Sequence, residues 1–230
     1  MTETIVISGA NRGIGLELAK QFLNAGNRVI AGCRNPANAT ALRALAGNDL
    51  LTILPLDVAV TQSITTFCQQ LSHETIAVLI NNAGVMGGDK QGIHNMDYAA
   101  WATTLAINTF APFQLATALL PNLKRTQRPR IVTLSSKMGA FNLPMHHGTY
   151  AYRSSKTAVS KVMQVLAWEL KSEGVIVCPV HPGWVRTDMG GDKADISAAE
   201  SAAGLFNLIN SMTMEHSGRF WTWQGIEHPW

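Results

Sequence analysis

Between Thr149 and Lys156 the chain reads TYAYRSSK, two tyrosines and a lysine within eight positions. A free tyrosine ionises near a pKa of about 10, so it acts as an acid or base at neutral pH only where a neighbour favours the phenolate. On a helix, Tyr152 and Lys156 lie four apart and share a face, whereas Tyr150 is six from the lysine and points away. Tyr152 is therefore the candidate. An ammonium about 4 Å from a phenolate is worth up to roughly 4 kcal/mol at an effective dielectric of about 20, enough to bring a tyrosine from about 10 to about 7. The chemistry expected is proton transfer to or from an oxygen, with Tyr152 as general acid or base and Lys156 lowering its pKa.

A second group lies near the start of the chain, where SGANRGIG (Ser8 to Gly15) follows an apolar run and opens a helix-forming stretch. Gly9, Gly13 and Gly15 let backbone come close to a ligand. The free N–H groups and partial positive charge of a helix start suit a pyrophosphate.

These groups need a frame that brings strand ends and helix starts together. Six apolar runs supply it: TIVIS (Thr4 to Ser8), RVIAGC (Arg28 to Cys33), LLTILPLD (Leu50 to Asp57), IAVLIN (Ile76 to Asn81), RIVTLS (Arg130 to Ser135) and VIVCPV (Val175 to Val180). Each is strand-length and rich in Val, Ile or Leu without strict alternation, as expected for strands buried on both faces. Helix-length segments separate them, so the fold predicted is a doubly wound α/β domain with a mostly parallel sheet flanked by helices. Two segments read as long helices: Met96 to Arg125, with Pro112 as a kink, and Tyr150 to Gly174, with Gly174 as the stop. MGGDKADIS, Met189 to Ser197, reads as a mobile loop.

At 230 residues the chain suits one domain. Hydrophobic residues make up 47% and charged ones only 14%, which points to apolar surface covered by another subunit. With a net charge of +3 and no long basic run, neither nucleic acid nor a membrane is an expected partner. No secretory signal or long apolar stretch is evident, and a cytoplasmic location is expected. Cys33, Cys68 and Cys178 have neither disulfide-framework nor zinc-ligand spacing and are expected to be buried thiols.

The spacing Gly-x-x-x-Gly-x-Gly at Gly9, Gly13 and Gly15 resembles the short-chain dehydrogenase/reductase family. Further marks follow in order: LDV at Leu56 to Val58, NNAG at Asn81 to Gly84, Asn108, SS at Ser135 and Ser136, YRSSK at Tyr152 to Lys156, and PGWVRT at Pro182 to Thr187. The resemblance runs over essentially the whole chain, although Ser8 stands where the family commonly begins its motif with Thr. It implies a single Rossmann-like domain over residues 1–230 with a seven-stranded sheet. The segments SSKMG, HPGWVRTDMGG and SGRFWTWQGIEHPW narrow the resemblance to the C-factor and sniffer-type branch, near the carbonyl reductases.

That resemblance implies an oxidoreductase that moves hydride between a nicotinamide and a carbonyl or alcohol carbon. It implies catalytic roles for Ser136, Tyr152, Lys156 and Asn108, with Ser136 on the substrate oxygen and Asn108 holding a water that connects Lys156 to solvent. It also implies cofactor contacts from Gly9, Asn11, Arg12, Gly13, Ile14 and Gly15, from Asp57 and Val58 at the adenine, and from Asn82, Ala83 and Gly84 at the ribose. Pro182, Gly183, Val185 and Thr187, with Tyr152 and Lys156, would hold the nicotinamide end. A binding-only sensor of C-factor type is the alternative, and the intact Ser136, Tyr152 and Lys156 argue against it.

The second run ends in Cys33 and Arg34 with no carboxylate to accept from a ribose 2′-hydroxyl, and Arg12 sits in the glycine turn. Two guanidinium groups suit a 2′-phosphate, so NADP(H) is expected over NAD(H). Sixteen positions separate Ser136 from Tyr152, and Met138, His146, His147 and Trp184 are expected to wall the substrate. Adjacent His146 and His147 lack further ligands nearby, so no metal is expected. The short loop before Ser197 offers little lid. The two long helices, with their Ala, Leu and Val faces, are expected to pair across a two-fold axis into a homodimer or homotetramer.

Overall fold

The computed structural model describes residues 2–45, 47, 49–142 and 148–230. From the N-terminus run β1 (Thr4–Ser8), α1 (Gly13–Asn24), β2 (Arg28–Cys33), α2 (Thr40–Arg43), β3 (Leu51–Pro55), α3 (Thr61–Gln70) and β4 (Val78–Asn81). Then come α4 (Tyr98–Leu105), α5 (Ala111–Ala118), α6 (Leu120–Leu123), β5 (Arg130–Leu134), α7 (Tyr150–Glu169) and β6 (Ile176–His181). β7 (Val185–Arg186), β8 (Ile196–Ser197), α8 (Ala198–Ser211) and β9 (Trp221–Thr222) complete the chain.

The described residues form a seven-stranded sheet in the order β3-β2-β1-β4-β5-β6-β9, with every pair parallel. Alternate residues of each strand feed different cores. Ile5, Ile7, Val29, Ala31, Ile80 and Val132 pack with α1 and α8 on one face, while Val6, Ile30, Leu79 and Ile131 pack with α3, α5 and α7 on the other. Burial on both faces explains why the strands read as unbroken apolar runs. The winding direction reverses at β1, which pairs with β2 on one side and β4 on the other. A crevice at the carboxyl ends of β1 and β4 is where such sheets hold ligands.

Four expectations about the elements change. The segment 96–125 is not one kinked helix: α4 starts at Tyr98, where the Asp97 side chain accepts from Ala100 N–H, and a π-helical turn over Ala106–Phe110 separates it from α5. In that turn the Ala111 N–H reaches back to Ala106 C=O, and Pro112, which would otherwise serve the Asn108 carbonyl, has no N–H to give. The segment 189–197 ends in ordered structure, because Ile196 and Ser197 pair with β7 and Ser197 forms a capping box with Glu200. The seventh strand is only the two residues of β9, docked on Val180 and His181 of β6. The second long helix ends before Gly174: α7 stops at Glu169, and a short 3-10 turn over Lys171–Glu173 leads to Gly174 at φ +71°. Cys33, Cys68 and Cys178 are buried and unbridged.

Candidate active site

Ser136 follows β5, Tyr152 and Lys156 lie on the first turns of α7, and all three are buried. Ser136 Oγ accepts from Met138 N–H at 3.1 Å, which leaves its own proton to donate. The hydroxyl lies beside the Tyr152 phenol, where a donor favours the phenolate. Burial outweighs that effect and holds the Tyr152 pKa above its ordinary value. The lysine does not outweigh burial in the free protein: Lys156 Nζ sits 5.7 Å from the Tyr152 ring centroid and donates to Leu134 C=O at 2.8 Å. In the free protein the phenol is thus harder to ionise, contrary to the shift toward neutrality expected from the sequence. Desolvation lowers Lys156 to about 8, so it is still mainly an ammonium at neutral pH.

The choice between the paired serines is supported by hydrogen bonding. Ser135 Oγ is spent on Lys156 C=O at 3.1 Å and on Ser160 Oγ at 2.7 Å, so Ser135 anchors α7 and Ser136 faces the phenol. Tyr150 is turned toward solvent. Asn108 sits in the π-helical turn, buried, with both ends of its amide engaged. Oδ1 accepts from Val85 N–H at 2.9 Å, and Nδ2 donates to Val85 C=O at 2.8 Å and to Ser155 Oγ at 2.9 Å. A water on Asn108 would therefore have to be held by its backbone carbonyl, whose ordinary donor Pro112 cannot supply. Ser155, which donates in turn to Tyr152 C=O, is a link that the motif reading passed over although it lies inside YRSSK.

The glycine turn and the NNAG loop meet at the crevice. Asn82 Nδ2 donates to Ser8 C=O and Gly9 C=O, both at 2.9 Å, tying the end of β4 to the end of β1. A Cβ on Gly15 would stand 2.4 Å from Gly9 C=O and 2.5 Å from Asn82 Nδ2, so only glycine fits there. Helix α1 has Arg12 at its N-cap with no side-chain cap, which leaves its first N–H groups to an anion. Ile14 packs into the core below. Gly84 lies against Asn108 and Lys156: a Cβ there would be 3.1 Å from Asn108 Oδ1 and 3.6 Å from Lys156 Nζ.

Across the crevice, Gly13 faces Thr187, whose Cγ2 would lie 3.2 Å from an added Cβ. Thr187 Oγ1 donates to Val185 C=O and accepts from Gly190 N–H, which folds this loop on itself. Pro182 C=O accepts from Ser201, and Gly183, at φ +94°, backs onto Trp223. Asp57 uses Oδ1 to accept from Ala59 N–H, a strand-end turn with Val58 inside it. The Arg12 guanidinium does not reach toward β2; it pairs with Asp188 at 2.5 Å. Both partners are well exposed, so the pair is weak. Arg34 is exposed and unpaired among the described residues.

The structure thus gathers Ser136, Tyr152, Lys156, Asn108, the glycine turn, Asn82 to Gly84 and Pro182 to Thr187 around one crevice. Met138 lies two residues after Ser136, in the 3-10 turn Lys137–Gly139, and Trp184 is half exposed with its Nε1–H on Gly190 C=O. His146 and His147 lie outside the described residues. No group of three His, Cys, Asp or Glu suited to a metal occurs among the described residues.

A family profile described as short chain dehydrogenase matches residues 3–197. C-signal of Myxococcus xanthus is 40% identical over 164 residues, 71% of this chain and 98% of that protein. The 1-hydroxy-2-glutathionyl-2-methyl-3-butene dehydrogenase of Rhodococcus is 32% identical over 99% of both chains. Among solved structures, the carbonyl reductase Sniffer of D. melanogaster superposes with a TM-score of 0.94 at 30% identity over the full length of both chains. An NADPH-bound carbonyl reductase from chicken fatty liver gives 0.92 at 30% identity, covering 100% of this chain and 99% of the other. The chain belongs to the short-chain dehydrogenase family and is an oxidoreductase on the branch shared by C-signal and the Sniffer-type carbonyl reductases.

Proposed function

We propose that this protein is an NADPH-dependent carbonyl reductase in which Tyr152 protonates the oxygen of an aldehyde, ketone or quinone. The observation that carries the reading is the buried phenol of Tyr152 held beside Ser136 at the crevice where β1 and β4 diverge. The bound nicotinamide supplies the hydride. Ser136 and Tyr152 would hold the carbonyl oxygen, and the phenol would give it a proton. Lys156, an ammonium at neutral pH, stabilises the phenolate left behind. Burial of all three side chains keeps water from competing for those bonds.

The crevice suits a dinucleotide. Uncapped N–H groups of α1 would take the pyrophosphate, Asn82 to Gly84 and Asp57 with Val58 would line the adenosine side, and Val185 and Thr187 the nicotinamide side. Preference for NADP(H) rests on Arg34, unpaired at the end of β2, and on Arg12, whose exposed partner Asp188 is readily exchanged. NADP-bound neighbours in the same fold support it. Replacing Arg34 with alanine is expected to lower kcat/KM for NADPH about tenfold or more and leave NADH within about threefold. Steady-state rates with each cofactor check this; an unchanged ratio would remove Arg34 from the site.

Purified protein with NADPH and a panel of aldehydes, diketones and quinones, followed by loss of nicotinamide absorbance, tests the reductase reading. Tight NADPH binding with no turnover would instead favour a cofactor-binding signalling role, for which the likeness to C-signal is the supporting observation. The chain is proposed to act as one domain in the cytoplasm and to assemble as a homodimer or homotetramer. Exposed Phe110, Phe113, Val165 and Trp168 beside and on α5 and α7 support the pairing, and no helix among the described residues is long and apolar enough to cross a membrane.

A further inference from the structure

Helix α7 carries Tyr152 but is not capped in the ordinary way. Its N-cap, Thr149, has φ +55°, the one positive φ outside glycine among the described residues, and gives no side-chain cap. The Thr149 hydroxyl is already committed, donating to Gly148 C=O and accepting from Arg153 Nε–H. Tyr152 is the third residue of the helix, so its backbone N–H has no partner within α7. That N–H is satisfied from elsewhere: it donates to Gln91 Oε1 at 3.2 Å.

Gln91 has no solvated freedom. Its side chain is buried, and Nε2 donates to both Met86 C=O and Gly88 C=O at 2.8 Å. The loop it braces leads out of NNAG, and the backbone around Gln91 is closed by Asp97 N–H on Lys90 C=O at 3.0 Å and by Gly92 N–H on Asn95 Oδ1 at 2.8 Å. Gly87, at φ +94°, packs so closely that an added Cβ would lie 2.7 Å from Thr104 Oγ1 and 3.1 Å from Ala151 Cβ. One amide therefore joins the loop after NNAG to the start of α7 and to the residue that would give the proton.

We propose that Gln91 is a positioning residue for Tyr152, capping the catalytic helix from outside and fixing it to the loop that follows the NNAG motif. The proposal rests on the reductase reading above. Proton transfer depends on placement to within about an ångström, so a tyrosine whose helix end can drift loses rate before it loses cofactor binding. Nothing in the sequence flags Gln91, a lone polar residue in a glycine-rich loop; its burial and three hydrogen bonds do.

Gln91→Met keeps the length of the side chain and removes all three bonds. Its kcat for carbonyl reduction is expected to fall at least about tenfold while NADPH affinity, read by fluorescence without substrate, stays within about threefold. The Tyr152 amide should also lose protection against hydrogen exchange. Gln91→Glu adds a pH readout and serves if the methionine variant does not fold. Its protonated carboxyl still accepts from Tyr152 N–H and donates to one loop carbonyl, whereas its carboxylate faces two carbonyls. Its kcat relative to the unmodified enzyme should therefore recover as pH falls, and that of Gln91→Met should not. The proposal is overturned if Gln91→Met keeps kcat within about twofold, if NADPH affinity falls in step with kcat, or if Tyr152 amide protection is unchanged. If the unmodified protein reduces no carbonyl, the reductase reading fails by itself, and the exchange measurement still decides whether Gln91 caps the helix.

Discussion

Tyr152→Phe is expected to lower kcat for carbonyl reduction by at least about a thousandfold and to leave NADPH affinity within about threefold. The ring is buried and phenylalanine fills the same volume, so packing survives and only the phenol is lost. What remains is binding and the Ser136 hydroxyl, which can hold a carbonyl oxygen but is too weak an acid to protonate it. The effect is in the chemical step, so KM for the carbonyl should change far less than kcat. Single-turnover rates at saturating NADPH would separate the two, and a variant with half the parent rate would end the proposed role of Tyr152.

The same geometry sets the direction of the pH dependence. Burial keeps the Tyr152 pKa above its ordinary value, so the proton needed for reduction is in place throughout the neutral range. Lys156 loses its charge near pH 8, and with it goes the support for the phenolate that reduction leaves behind. Reduction should therefore hold steady from about pH 6 to about pH 8 and fall above that, whereas alcohol oxidation, which needs a phenolate to begin with, should rise with pH over the neutral range. A reduction rate that climbs through pH 8 would contradict the assignment of Lys156 or of Tyr152.

How much of this was legible without coordinates follows from the range of the forces involved. Strands β1, β2 and β5 end within a residue of the apolar runs, because each is buried on both faces and burial is written into every residue. The glycine turn was legible for the same local reason: Gly15 is the one residue type that clears Gly9 C=O. The π-helical turn was not, since it depends on Pro112 together with an Asn108 amide clamped to Val85, a contact between segments 23 positions apart. Arg12 illustrates the same limit. Its placement in the turn is local, but its pairing with Asp188 joins residues 176 positions apart and nothing in either neighbourhood announces it. The expected fall in the Tyr152 pKa had the lysine in the right place on the helix and lacked the burial of the phenol, which comes from packing of distant segments, and the Leu134 C=O that takes up the ammonium. β9 is too short to leave a periodic signal, and its position comes from docking on β6.

Lys156→Met should abolish turnover and at the same time make the free protein more stable at neutral pH. Lys156 is buried, and desolvation takes it from 10.5 to about 8. That difference corresponds to a penalty on the order of 3 kcal/mol for keeping the ammonium inside the fold below pH 8. Between about pH 8 and 10.5 the unfolded chain still binds the proton that the folded chain has released, so native stability rises with pH through that window; below it both states are charged and the penalty is complete. Methionine fills the site without charge but leaves Leu134 C=O without its 2.8 Å donor, a loss of about 1 to 2 kcal/mol. The net gain expected at pH 7 is about 1 to 2 kcal/mol, or roughly 2 to 6 °C in Tm for a chain of this size. It should shrink as pH rises and turn into a small loss above about pH 10, where the parent lysine is neutral and only the missing hydrogen bond counts. Melting curves without cofactor at pH 7 and pH 10 would show the crossing. Turnover should drop by at least about a hundredfold, because the phenolate left after proton transfer no longer has a cation beside it. A variant that is less stable than its parent at pH 7 would mean that the ammonium is compensated inside the protein, and the opposition between stability and catalysis at Lys156 would not hold.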